Sequence, residues 1–145
     1  MTYELDPAWN RAEARDLAAA DEMALRYHHF LGDVRLTVGD VDMSAIWGWI
    51  PLLDFAAGLV EVLKSLRSGG RGEVDFTESD ARLVIRRDGD TLTIKPSYRP
   101  VEADVPYGDF LLAAMEARKV LCAELAARYP ELAQNHGFTG LCSAT

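Results

Sequence analysis

The sequence predicts an α+β domain: an antiparallel sheet of about five strands, two main helices packed on one face, and a further helix at the N-terminus. Three observations predict it. "ARLVIRRDGDTLTIKP" alternates apolar and polar residues on both sides of Asp88-Gly89, a two-residue hairpin signal. "PLLDFAAGLVEVLKSL" spreads apolar residues over about half a helical circumference. "YGDFLLAAMEARKVLCAELAAR" carries a narrower stripe, Phe110, Ala114, Ala117, Leu121 and Leu125, at spacings of three and four.

The elements follow in chain order. Asp6 is a candidate N-cap and Pro7 a first helical residue, so the alanine-rich run after them predicts a helix over residues 7–21. Its apolar stripe is thin, mainly Trp9 and Leu17. Residues 1–22 therefore read as a helical extension, and residues 23–145 as a single α+β domain expected to fold without it. "MALRYHHFLGDVRLTVGD" reads as two strands around Gly32-Asp33, with Tyr27, His29 and Leu31 sharing the inward face of Val34, Leu36 and Val38. "GDVDMSA" reads as a loop.

Pro51 suits the first turn of a helix over residues 52–66. Asp54, Gly58, Glu61 and Ser65 form its wet strip, and the glycines of "SGGRG" end it. Val74 and Phe76 form a strand before the "TESD" turn. In the hairpin, pairing Arg87 with Asp90 in a type I′ turn sets Ile85 opposite Leu92 and Leu83 opposite Ile94, all on one face. A long helix runs from Tyr107 to Arg128, is stopped by Pro130, and is followed by the short turn "PELAQN".

Composition limits the function classes. The 145 residues are 49% hydrophobic and 26% charged, as in an ordinary globular protein, and suffice for one core. A net charge of -8 and a pI near 4.8 oppose general nucleic-acid binding, which draws its affinity from cations. They suit a basic partner. "MTYELDPAWNRAEARD" has no apolar stretch of signal type, and no segment is long and apolar enough to span a bilayer, so the expectation is a cytoplasmic protein without a membrane partner. Cys122 and Cys142 are too few for a disulfide framework, and read as a buried thiol and a tail thiol.

Chemistry-bearing patterns are sparse. His28 and His29 point to opposite faces of a strand and cannot both ligate from one side. No zinc spacing, no GxSxG elbow and no spaced pair of catalytic carboxylates occurs. "SGGRG" follows a helix, whereas a phosphate loop precedes one. The sequence therefore implies no catalytic residue, metal or cofactor. Arg82, Arg86 and Lys95, with Arg26 and Arg35 as further candidates, read as a basic strip paired across strands with Glu73 and Asp75 on a solvated sheet face.

Trp47 and Trp49 flank Gly48 before Pro51. Two readings compete: a lid folded onto the first turn of the core helix, or an aromatic contact surface of the kind partners use. The expectation is one ring of each kind, with Trp49 buried because it lies nearer Pro51, and the other ring exposed beside Asp40 and Asp42.

The runs "YHHFLGDVRLTVGDVDMSAIWGWIPLLDFAAGLVEVL", "VDFTESDARLVIRRDGDTLTIKPSY" and "VPYGDFLLAAMEARKVLCAELAARYPELAQN" resemble a group of small actinobacterial proteins of uncharacterised function, over roughly residues 23–141. In size, acidity and layout the chain is also similar to immunity proteins of bacterial polymorphic-toxin systems. That second resemblance implies a small non-catalytic protein that binds and blocks a cognate, basic toxin domain. Asp40, Asp42, Trp47, Trp49, Asp54 and Glu61 are then the candidate partner-binding residues. A competing reading is a small enzyme or ligand-binding domain with a pocket between sheet and helices, lined by Tyr27, His29, Trp47 and Tyr107. A third is a homodimer formed through the N-terminal helix.

Overall fold

A computed structural model describes residues 1–7, 17–77 and 79–143. The expected helix over residues 7–21 falls largely on residues 8–16, outside the described residues. The chain is α+β and antiparallel, as expected, but its strands form three sheets instead of one of about five strands.

The first sheet joins β1 (Thr2–Leu5), β2 (Leu31–Arg35) and β5 (Ala45–Pro51) in the order β1-β2-β5. β3 (Thr37–Val38) and β4 (Val41–Asp42) make a small ladder of their own. β6 (Gly70–Asp75), β7 (Arg82–Asp88), β8 (Thr91–Pro96) and β9 (Ala103–Pro106) form a four-stranded meander. α1 (Glu22–Tyr27) precedes β2, and α2 (Leu52–Ser65) links β5 to β6. α3 (Tyr107–Arg128) follows β9, and a 3₁₀ turn (Pro130–Gln134) leads into α4 (His136–Cys142). No helix among the described residues is long and apolar enough to cross a membrane.

Two expectations on the N-terminal side are corrected. "EMALRY" is a helix rather than a strand, because Asp21 caps it: the Asp21 carboxylate accepts the Ala24 N–H at 2.7 Å. Gly32-Asp33 is not a turn. It lies inside β2, where β1 passes so close that a Cβ at Gly32 would collide with the carbonyl oxygen of Glu4. The chain changes direction two residues earlier, at Phe30, whose φ of 58° is unusual for an aromatic residue. Its fully buried ring offsets that strain.

Residues 1–22 contribute directly to the core of residues 23–145. β1 pairs with β2 along its whole length, and Tyr3 is buried. Leu17 is 0% exposed, and the Asn135 side-chain amide donates to the carbonyls of Leu17 (2.6 Å) and Ala20 (2.7 Å). A thin apolar stripe therefore understated this segment, since pairing and two buried residues do not require amphipathic helical spacing.

α2 is the central element and lies where its periodicity predicts. Eight of its residues are buried, among them Leu52, Phe55, Leu59 and Leu63. The hairpin is in place but shifted by two residues. Asp88 pairs with Thr91, Arg87 with Leu92 and Ile85 with Ile94. The turn residues are thus Gly89-Asp90. Gly89 has φ 62° and Asp90 is not left-handed, the type II′ rather than the type I′ pattern. Because side chains alternate with period two, a two-residue shift keeps Leu83, Ile85, Leu92 and Ile94 on the buried face.

On the outer face of the meander one charge pair, Arg82 with Glu73, crosses strands, and among the described residues Arg86, Lys95 and Asp75 form no ion pair. Glu73 lies 2.7 Å from Arg71 and 4.0 Å from Arg82, and Thr93 donates to Asp104 at 2.7 Å. Arg26 and Arg35 belong elsewhere: Arg35 binds Glu4 at 2.8 Å, and Arg26 binds α2. The two cysteines are not separate thiols. Cys122 of α3 and Cys142 of α4 form a disulfide, with Cα atoms 6.0 Å apart. The Pro130 break and the 3₁₀ turn fold α4 back onto α3, which no spacing of two cysteines announces.

Candidate binding surface

A ladder of aromatic rings leads from the core to the surface. Tyr3 meets Phe55 edge-on at 6.1 Å, and Phe55 stacks on Phe76 at 4.8 Å. Phe76 meets the edge of Trp47 at 5.2 Å, and Trp47 stacks on Trp49 at 5.3 Å with the planes 17° apart. Tyr98 touches both Phe76 (5.3 Å) and Trp47 (5.1 Å). These separations lie in the attractive range for ring pairs.

Local chemistry explains the last step. Both tryptophans lie on β5, the edge strand of its sheet, not in a helix entrance. Residues two apart on a flat strand are separated by about 6.6 Å. Gly48, at φ 77°, draws the strand in and lets the rings stack. The Asp33 carboxylate accepts the Gly48 N–H at 2.7 Å, and an Asp6 oxygen lies 3.2 Å from where a Cβ at Gly48 would sit. Two carboxylates thus stand at the residue between the two rings.

Below the tryptophans, the Tyr98 hydroxyl donates to the Met43 carbonyl at 2.6 Å, and Arg99 donates to the Ser44 carbonyl at 3.1 Å. These bonds tie the segment after β8 to the segment between β4 and β5. Burial raises the Tyr98 hydroxyl above its ordinary value of 10.0, since the phenolate would be desolvated. Asp42 accepts the Ser44 N–H at 2.9 Å and faces Arg99 at 3.5 Å; the Ser44 hydrogen bonding holds its carboxyl below the usual carboxylate value.

The candidate contact residues divide into groups. Trp47 packs on Tyr98 and Asp42 faces Arg99, and Trp49 joins them only through its stacking on Trp47. Asp40 is exposed at the tip of the β3–β4 ladder. Asp54 and Glu61 lie apart from them, on Arg26. Asp54 accepts from Arg26 at 2.8 Å and from Thr77 at 2.7 Å, with its side chain only 15% exposed, so it is already committed to holding α1 and the β6–β7 turn against α2. Glu61 is exposed and lies 3.3 Å from Arg26.

The expected split between the tryptophans occurs with the roles reversed. Trp47 is half-buried between Phe76 and Tyr98, whereas Trp49 is 40% exposed. Packing decides this, not distance from Pro51: Trp47 lies against Phe76 and Tyr98, and Trp49 is stacked on it. Ile46 on the same strand is 44% exposed. Sequence reasoning missed Phe76 and Tyr98 as anchors, and Asp6 and Asp33 as neighbours; their only signal was residue type.

Two of the residues proposed to line one pocket, Trp47 and Tyr107, are not brought together. The Tyr107 hydroxyl donates to the Leu63 carbonyl at the C-terminal end of α2, and Trp47 packs with Phe76 near Phe55 at the opposite end. Eight helical residues separate those ends, about 12 Å. Among the described residues, no three His, Cys, Asp or Glu side chains gather as a metal site would need. Compared with protein-family models, curated proteins and solved structures, the chain matches none.

Proposed function

We propose that this protein is a non-catalytic binding protein, an immunity protein that occupies and blocks a cognate bacterial toxin domain. The observation that carries the reading is the exposed Trp49 stacked on an anchored Trp47. A rigid aromatic ring presented on a sheet edge loses little conformational entropy on contact, which is why tryptophan concentrates binding energy in interfaces. The carboxylates of Asp6 and Asp33 beside Gly48, within a chain of net charge -8, suit a basic side chain of the partner laid over the indole face. Blocking would be steric and electrostatic, without a chemical step.

Co-expression with a toxin domain encoded beside this chain tests the proposal. Growth should be restored, and the purified pair should bind. Trp49→Ala should keep its melting temperature and lose about 2 kcal/mol of affinity. Full rescue and unchanged affinity in that variant would remove the aromatic contact from the reading. No rescue by the folded wild-type chain would remove the toxin.

The proposed site of action is the cytoplasm, where thiols are kept reduced. The Cys122–Cys142 bond sets a direct test. Alkylation of intact cells before lysis should label both cysteines if the protein works there. An unlabelled pair would place it in an oxidising compartment.

A further inference from the structure

A second feature, independent of the tryptophan surface, lies among the helices. α1, α2, α3 and α4 enclose a cleft of about 200 Å³. Arg26, Glu61, Lys64, Arg118 and Ser143 are among the residues lining it. Three cations and two acids, Glu22 and Glu61, face this space. Both acids are engaged by Arg26, at 3.5 Å and 3.3 Å, and Asp54 holds the same guanidinium at 2.8 Å. Among the described residues, none forms a hydrogen bond or ion pair with the side chain of Arg118 or Lys64.

Arg118 is the unusual member. It is only 6% exposed, on a helix face otherwise occupied by Ala114, Ala117, Leu121 and Leu125. A guanidinium stays charged at any physiological pH. Its stem is buried while its guanidinium nitrogens keep contact with the cleft, so the charge is aimed into that space. Burial pushes Arg118 below its ordinary proton affinity. Burial is also the largest single influence on Arg26, but the hydrogen bond and charge of Asp54 together with the charge of Glu61 outweigh it and raise that group. Arg26 is thus ion-paired within the chain, whereas Arg118 feels the charge of Glu61 but has no hydrogen-bonding or ion-pair partner among the described residues.

The wall of the cleft is fixed. Leu141 and Ser143 flank Cys142, whose disulfide partner Cys122 lies one turn along α3 from Arg118. The helix that carries Arg118 is therefore covalently bonded to the helix that faces it, which lowers the ordering cost of filling the space.

We propose that this cleft binds a small oxyanion of the phosphate class, held by the Arg118 guanidinium and the Lys64 ammonium. The fork of arginine and the point charge of lysine together suit a tetrahedral group with several acceptor oxygens. The cleft is below the ~300–1,000 Å³ of pockets for drug-sized ligands, so it fits free phosphate or a compact phosphomonoester.

Calorimetric titration of the oxidised full chain at low salt tests this, with inorganic phosphate and glycerol 3-phosphate in separate arms. Saturable binding of phosphate is expected. Arg118→Gln should weaken it about tenfold or more, and Lys64→Gln severalfold, since each removes a charge-assisted hydrogen bond. Arg86→Gln, on the outer sheet face, should leave it unchanged. Tighter binding of glycerol 3-phosphate by about tenfold would identify a phosphomonoester as the ligand, and equal binding free phosphate. Should Arg118→Gln fail to fold, the NMR signal of the Arg118 Nε–H in the wild-type chain decides: it must move with phosphate. Absence of binding up to about 20 mM, undiminished binding in folded Arg118→Gln, or an unmoved Arg118 signal at saturation would each overturn the proposal.

Discussion

The two ends of α2 are held in opposite ways. At the N-terminal end no side chain caps the helix. The Leu52 N–H donates instead to the Phe30 carbonyl at 3.2 Å, and the surroundings are rings: Phe55 between Tyr3 and Phe76, with Trp47 beyond. At the C-terminal end the neighbours are polar. Arg87 donates to the carbonyls of Leu66 (3.0 Å) and Arg67 (2.7 Å), and Tyr107 donates to that of Leu63 (2.8 Å). The Arg87 guanidinium also lies 3.8 Å above the Tyr107 ring. The last carbonyls of a helix need donors, and its partial negative charge favours a cation, so one arginine meets both demands. The apolar end depends on area and shape, the polar end on directed hydrogen bonds. Mutations should separate the two.

The largest effect is expected from deleting residues 1–21. This removes β1, the buried Leu17 and the Tyr3 ring at the base of the ladder. Circular dichroism should show loss of the cooperative transition, and a melt like that of the full chain would mean the apolar end stands without its base. Next in size is Trp47→Ala, at about 3 kcal/mol, the lower range for a large aromatic because Trp47 is only half-buried. Trp49→Ala should change stability by less than about 0.5 kcal/mol, as exposed positions do. Equal destabilisation of the two variants would end the distinction between anchor and contact ring.

Arg87→Lys tests the polar end, where the side chain is 14% exposed. A lysine keeps the charge but cannot bond two carbonyls while covering the Tyr107 ring, so a loss of about 1–2 kcal/mol is expected in denaturant titration. Full stability in Arg87→Lys would mean that charge alone suffices there.

A further effect concerns pH. Tyr3 and Tyr98 are both raised above 10.0 by burial. The unfolded chain then loses these protons first. Their contribution to stability is present in full below about pH 10 and declines as pH rises from there toward the folded-state values. Tyr98→Phe should cost about 1 kcal/mol at neutral pH, for the bond to Met43, and flatten the alkaline decline. An unchanged slope would assign that decline to Tyr3 alone.

Legibility varied with the range of the interactions. α2, α3 and the β7–β8 pairing were readable because period and turn chemistry act within a few residues. The hairpin slip of two positions left its buried face unchanged, so even an inexact register gave the right core. α1 was misread because Tyr27, His29 and Leu31 also fit a strand, and only the Asp21 cap separates the two readings. For the surface, the tryptophans and Asp42 were found by residue type, whereas Asp54 proved to be an internal partner of Arg26. Arg118 gave no signal, because one charge in an apolar stripe looks like any residue at a helix edge.

By itself the sequence determined the α+β class, the main helices, the buried face of the hairpin, and an acidic chain with an exposed-or-buried choice at two tryptophans. Each follows from local periodicity, glycine placement or composition. Tertiary structure alone decided that β1 closes onto β2, that Trp49 faces out, that Cys122 meets Cys142, and that Arg26 has three ion-pair partners while Arg118 has none among the described residues. Those outcomes depend on which distant residues come within a few ångströms of each other, and no single segment of the chain encodes that distance.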